Sequence, residues 1–228
     1  AGGAGEPRLE QGEAKKYEAP KGHRWFAAVY DRMMASAEKT FMRRVRYEIA
    51  AGARGRVLEI GAGTGANFPY YSDATSSITA TEPDPFMARR ARERAKRVGL
   101  PIELKEAPAE ALPFGDETFD TVVATLVLCS VRDPAKALAE VRRVLRPGGE
   151  LRFYEHVRYD HAFGAFWQDV ATPIWRWMGA GCHPNRDTAQ AIREAGFIIR
   201  QIEITKPVPP VPPMVIVRPH VKGIALRP

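Results

Sequence analysis

At 228 residues, 45% of them hydrophobic, with a formal net charge of +7, the chain can bury a full core as one domain with a short extension. No window approaches the ~18 apolar residues that cross a bilayer, and two cysteines, Cys129 and Cys182, exclude a disulfide framework and point to a reducing cytosol. No basic run with interleaved aromatics appears, which excludes nucleic acid, whereas Arg/Lys-rich segments with aromatics near both ends suit peripheral contact with an anionic membrane.

Residues 1–22 are glycine-rich and then charged, without the apolar centre of a secretory signal, and read as a disordered tail. Over 23–51 the pattern is helical: Trp25, Phe26, Val29, Tyr30, Met33 and Met34 recur at spacings of three and four, as do Phe41, Val45 and Ile49. Arg54-Gly55 breaks that helix before a short apolar strand over 57–60. A short helix is predicted over 67–73 and a β-branched strand over 77–81. Asp84 can cap a helix over 85–98, with Pro85 in its first turn. Strands follow over 102–106 and 119–125.

An amphipathic helix over 134–145 is closed by Arg146-Pro147-Gly148-Gly149, and a fifth strand takes 150–154. The segment 157–187 is an insert carrying Trp167, Trp175 and Trp177 at roughly helical spacing. A helix over 188–195 stopped by Gly196, a strand over 197–204, an extended proline-rich connector over 207–213 and a last strand over 221–226 complete the chain. Alternating strands and helices predict a doubly wound, mostly parallel α/β sheet in a single domain over 23–228, with 23–52 as a helical lid. Nothing in the pattern sets an oligomeric state.

The chemistry starts at the end of the first strand. Glu59-Ile60-Gly61-Ala62-Gly63-Thr64-Gly65 joins a carboxylate to three alternating glycines, where a dinucleotide fingerprint would place the third glycine one residue later. Glycines let the backbone approach a ligand closely. A carboxylate beside the loop repels a pyrophosphate and attracts an ammonium group. Glu82 closes the second strand, where its carboxylate can accept both hydroxyls of a ribose. An acid at each of these strand ends fits S-adenosylmethionine, which combines a ribose, an amino group and a sulfonium.

Ala109-Glu110-Ala111-Leu112-Pro113-Phe114, ahead of the fourth strand, would flank the adenine, and Arg146-Pro147-Gly148-Gly149 precedes the fifth. This ordered set resembles the class I S-adenosylmethionine-dependent methyltransferases from about residue 30 to 226. The resemblance implies their seven-stranded Rossmann-like sheet with an antiparallel C-terminal strand. It also implies cofactor contacts from Tyr30, Glu59, Gly61, Ala62, Gly63, Gly65, Asn67, Glu82, Pro83, Met87, Ala109 and Glu110, with Thr125 beside the methionine portion. The product would be S-adenosylhomocysteine.

Thr125-Leu126-Val127-Leu128-Cys129-Ser130-Val131, Tyr154-Glu155-His156-Val157, Trp167-Gln168-Asp169-Val170 and Gly179-Ala180-Gly181-Cys182 resemble more narrowly the microsomal alkyl-thiol S-methyltransferases of the methyltransferase-like family. Those proteins carry an N-terminal hydrophobic anchor, whereas the residues before His23 are polar here, so the expectation is a cytoplasmic protein with peripheral membrane contact. The implied acceptor is small and lipophilic, a thiol first. A phospholipid amine or a quinone carbon is the alternative, and a non-catalytic cofactor-binding module is the reading from another class. Cys129, His156, Trp167 and Trp175 are candidates for the acceptor pocket, His156 also for a general base, and Tyr30 for closing over the methionine end. Cys182-His183 has no companion ligands spaced for zinc, so no metal is expected.

Overall fold

A computed structural model of the chain describes residues 37–208 and 214–228. The tail over 1–22, Tyr30 and most of the expected lid lie outside those residues, as does most of the proline-rich connector. Strands β1 (Gly55–Ile60), β2 (Thr75–Thr81), β3 (Ile102–Lys105), β4 (Phe119–Thr125), β5 (Leu145–His156), β6 (Ile198–Thr205) and β7 (His220–Leu226) form one sheet in the order β3-β2-β1-β4-β5-β7-β6. Pairings are parallel from β3 through β5, and β7 runs antiparallel to both β5 and β6. The order reverses between β1 and β4, and the carboxyl ends of strands at such a switch point open the crevice where α/β sheets bind ligands.

Alternating side chains of the central strands divide the core into two layers. Leu58 and Ile60 of β1 and Val122 and Ala124 of β4 face α3 (Pro134–Val144) and α5 (Thr188–Glu194), through Leu138, Val141 and Ile192. Val57 and Val123 face the opposite layer, made by α1 (Arg43–Ala50) and α2 (Pro85–Val98), through Ile49, Ala91 and Ala95. Each fully buried aliphatic side chain contributes roughly 1.5–3 kcal/mol.

The element edges follow local chemistry. Asp84 accepts from the backbone N–H of Phe86 at 2.8 Å and of Met87 at 3.1 Å, so the predicted cap forms, and Gly99 ends α2 at φ 70°. Arg152 is buried in β5 and donates from Nε to the Ile49 carbonyl at 2.9 Å and from Nη2 to that of Glu48 at 3.2 Å. It thereby satisfies orphan carbonyls at the end of α1 and fastens that helix to the sheet.

Two local expectations change. The short helix over 67–73 is one 3-10 turn, Phe68–Tyr70, because Tyr71 already takes extended backbone at ψ 141° and the chain must reach β2 at Thr75. Arg146-Pro147-Gly148-Gly149 does not separate α3 from its strand: β5 already begins at Leu145, and these four residues bulge out between the pairs Phe119–Leu145 and Thr121–Glu150. Between β3 and β4 the described chain crosses without a helix. The expected insert is α4 (Ala162–Met178) with the turn that follows it.

Candidate active site

Glu59 sits fully buried at the carboxyl end of β1. Its carboxylate accepts from Asn67 Nδ2 at 3.0 Å and from the Tyr71 hydroxyl at 2.7 Å. Asn67 Nδ2 also reaches Thr125 Oγ1 at 3.0 Å, while Asn67 Oδ1 accepts from Arg46 Nη1 at 2.8 Å. Burial pushes the Glu59 carboxyl up to about 7, against the pull of Tyr71, Arg46 and Asn67.

Arg46 and Tyr71 escaped the sequence reading. The signal for Arg46 was its place on the apolar face of the predicted helical run with Met42, Ile49 and Ala50, where an isolated cation needs a partner. Tyr71 gave no signal beyond being an aromatic after a turn.

The glycine loop leaves β1 with Gly61 at φ 56°, Gly63 at φ 57° and Gly65 at φ 76°, all left-handed. A Cβ on Gly61 would strike the Val127 side chain at 2.6 Å, whereas one on Gly63 would meet nothing within 4 Å. Gly61 is therefore fitted to the fold, and the backbone at Gly63 faces open space that a ligand could approach. Ala62 stays bound to β2 through its N–H and the Thr81 carbonyl at 2.9 Å.

At the end of β2, Glu82 accepts from the Gly63 N–H at 2.8 Å and from the Asp84 N–H at 2.9 Å. Each oxygen keeps further acceptor capacity for a hydroxyl. Burial raises this carboxyl to about 7 as well. Pro83 follows it, and Met87 is buried in the first turn of α2. Ala109 is buried in the loop after β3. Glu110 follows it, its carboxylate accepting from the Arg132 N–H at 2.8 Å and tying the loop to the start of α3.

Beyond Thr125 the chain bends at Leu126, held at φ 59° with its N–H on the Tyr154 carbonyl at 2.8 Å. The next three N–H groups all donate to buried Glu155: Val127 at 2.9 Å, Leu128 at 3.0 Å and Cys129 at 3.1 Å. Glu155 is thus a clamp on the loop after β4. It delivers Cys129 to His156, whose Nδ1 lies 3.6 Å from Cys129 Sγ and 3.4 Å from Cys182 Sγ. The Cys129 and His156 side chains favour the Cys182 thiolate, and the shared proton holds the Cys129 thiol well up. His156 also packs on His220, ring centroids 4.5 Å apart.

Cys182, which the sequence reading set aside, therefore joins Cys129 and His156, while its neighbour His183 contributes a backbone N–H to the Cys129 carbonyl at 2.7 Å. No spacing rule could find this trio, since 27 and 26 residues separate His156 from the two cysteines.

Trp175 is half-buried near Cys182, where its indole N–H favours the thiolate. Trp167 does not join this cluster: it is exposed on the outer face of α4 with Phe163 and Phe166 edge-on to it. The cause is helical phase. Gln168 and Thr172 take the inner face, and Gln168 Nε2 donates to the carbonyls of Val157, Pro184 and Ile216, which sets the helix's rotation.

Among known proteins, the family described as "Methyltransferase domain" matches residues 58–153. The chain is 37% identical to human "Thiol S-methyltransferase TMT1B" over 201 residues, covering 86% of this chain and 81% of that protein. The chain belongs to the class I S-adenosylmethionine-dependent methyltransferases. A phosphatidylethanolamine N-methyltransferase of Cereibacter sphaeroides shares 39% identity over 139 residues, 60% of this methyltransferase and 66% of that protein.

In three dimensions, a putative methyltransferase of Bacillus halodurans superposes with TM-score 0.66 at 17% identity, over 82% of this chain and 99% of that one, a likeness of fold. S-adenosylmethionine is the methyltransferase's cofactor, and the residues fit it. Two desolvated carboxylates suit its cationic and hydroxyl groups, and the open backbone at Gly63 admits close contact. It supplies a methyl group activated on sulfonium. The residues described here bind it, orient it and exclude water.

Proposed function

We propose that this methyltransferase transfers methyl to the sulfur of a small lipophilic thiol. The observation that carries the reading is the state of the candidate bases at the end of β5. Glu155 is committed to three backbone N–H groups, and His156 Nδ1 is shared between two sulfurs. A thiol suits such a site, because it ionises near ~8.5 unaided and needs alignment more than deprotonation. An amine or carbon acceptor would call on a stronger base. The similarity to a thiol S-methyltransferase along most of the chain supports the same acceptor atom. On this reading Glu59, Gly61, Ala62, Gly63, Gly65, Asn67, Glu82, Pro83, Met87, Ala109 and Thr125 border the cofactor, and Cys129, His156 and Trp175 border the acceptor.

Among the described residues no helix is long and apolar enough to cross a membrane. The outer face of α4 nevertheless exposes Phe163, Phe166, Trp167, Val170, Ile174 and Trp177 at helical spacing. With the net charge of +7, that face supports peripheral contact with an anionic membrane, from which a lipophilic acceptor would partition.

The test is direct. Purified protein with methyl-labelled cofactor should label a small alkyl thiol, at a rate that rises with pH as the thiol ionises. Label entering phosphatidylethanolamine or a quinone precursor, with thiols left unlabelled, would overturn the reading.

A further inference from the structure

Cys129, His156 and Cys182 come from three separate segments: the loop after β4, the end of β5 and the turn after α4. Their donor atoms all lie within 4.8 Å of one another, the one such group of three metal-ligand side chains among the described residues. The nitrogen–sulfur separations are 3.6 and 3.4 Å. In a tetrahedral zinc site, with Zn–S about 2.3 Å and Zn–N about 2.0–2.1 Å, a sulfur and a nitrogen ligand stand about 3.6 Å apart. Both nitrogen–sulfur separations are therefore those that a tetrahedral ion requires.

The backbones that carry the ligands are already fixed. The Cys129 N–H is held by Glu155 at 3.1 Å and its carbonyl by the His183 N–H at 2.7 Å, while the Cys182 N–H donates to the Gly179 carbonyl at 3.0 Å. His156 is paired with His220 across β5 and β7. Arg186 lies beside the cluster, where its Nη1 donates to the Leu128 carbonyl at 2.7 Å, and a divalent cation would take the place of the thiol proton it releases.

Two thiolates and an imidazole select a soft or borderline ion, zinc above magnesium or calcium. Three protein ligands leave a fourth position, as in zinc sites that act on a bound molecule. His156 is partly exposed, so the cluster is not sealed from solvent.

We propose that Cys129, His156 and Cys182 form a Cys2His site for Zn2+, whose fourth position takes the sulfur of the acceptor thiol. The second half rests on the thiol reading above; the ion site does not. On binding, the acceptor S–H bond breaks, the proton passes to solvent and the sulfur bonds the ion as a thiolate. A sulfur lone pair then forms the new S–CH3 bond while the donor's sulfonium–methyl bond breaks. The product is a neutral thioether, which the ion holds weakly.

The full chain, purified reduced and stripped with a chelator, is titrated with Co2+ and then with Zn2+. One equivalent per chain is expected, with the thiolate-to-cobalt charge-transfer absorption of a tetrahedral site and its loss when Zn2+ displaces cobalt. The double variant C129S/C182S, checked for native circular dichroism, should lose that absorption. No stoichiometric binding by the reduced protein, or an unchanged spectrum in the double variant, overturns the site. Should the variant not fold, alkylation of the wild type decides: Zn2+ must protect both cysteines, and equal labelling with and without it overturns the site.

A small alkyl thiol added to the cobalt protein should shift the charge-transfer band. An unshifted band in a protein that still methylates the thiol overturns coordination of the acceptor. Cobalt bound through the cysteines in a protein that methylates no thiol overturns the acceptor's part alone.

Discussion

Glu59 and Glu82 carry opposite consequences for folding and for binding. Both carboxyls are raised by burial from 4.5 to about 7, so between those values the folded, cofactor-free protein holds protons that the unfolded chain has released. Its stability therefore falls as pH rises through that window, and the penalty is complete above it. The cofactor prefers the ionised carboxylates, so its affinity should rise from pH 6 to pH 8 by roughly tenfold for each carboxyl, with proton release on binding at pH 6. Isothermal calorimetry in buffers of different ionisation enthalpy measures both; an affinity flat in pH would contradict these assignments.

Gly63 gives a sharper contrast. Gly63→Ala places a Cβ at φ 57° in open space, costing about 1–2 kcal/mol of stability, yet it should weaken cofactor binding tenfold or more by filling the approach. Thermal unfolding with and without S-adenosylhomocysteine separates the two effects.

At the scale of elements, helix α1 and helix α4 show how much depends on rotation. Helix α1 turns Arg46 inward to Asn67 because Arg152 holds its carbonyl end, and so a helix that precedes β1 in the chain completes the Glu59 network beside the glycine loop. Helix α4 is turned by Gln168, which sends its aromatic stripe outward. The double variant I174S/W177S should leave folding stability within about 0.5 kcal/mol per site, since both side chains are exposed, but lower co-sedimentation with anionic vesicles several-fold. Unchanged sedimentation would argue against that face as the membrane contact.

Sequence periodicity found helix α4's existence and its tryptophans. It could not tell which stripe turned inward, because both faces carry large apolar residues and one buried glutamine decided the matter.

For the whole molecule, stability and occupancy are linked. Ligand present at about 100 times its dissociation constant adds about 2.7 kcal/mol, which for a chain of this length raises the melting temperature by roughly 5–10 °C. Leu138→Ala, fully buried between α3 and the sheet, should cost about 2–5 kcal/mol and lower the melting temperature while leaving cofactor affinity unchanged in the folded fraction. Differential scanning calorimetry across a cofactor series checks both statements.

The strands, the helix caps, the glycine loop and the two acids at the ends of β1 and β2 were legible from the sequence, because each depends on residues adjacent in the chain: apolar runs, turn formers, a carboxylate beside glycines. These local patterns carried the fold class and the cofactor. What surrounds them was decided only in three dimensions. Arg46 over Asn67, Glu155 under three amides, and Cys129 and Cys182 meeting at His156 join residues that lie from 21 to 28 positions apart. Side chains so distant share no periodicity or motif. They meet because the parallel sheet gathers the carboxyl ends of β1, β4 and β5 along one edge, and that edge is where this methyltransferase's chemistry is assembled.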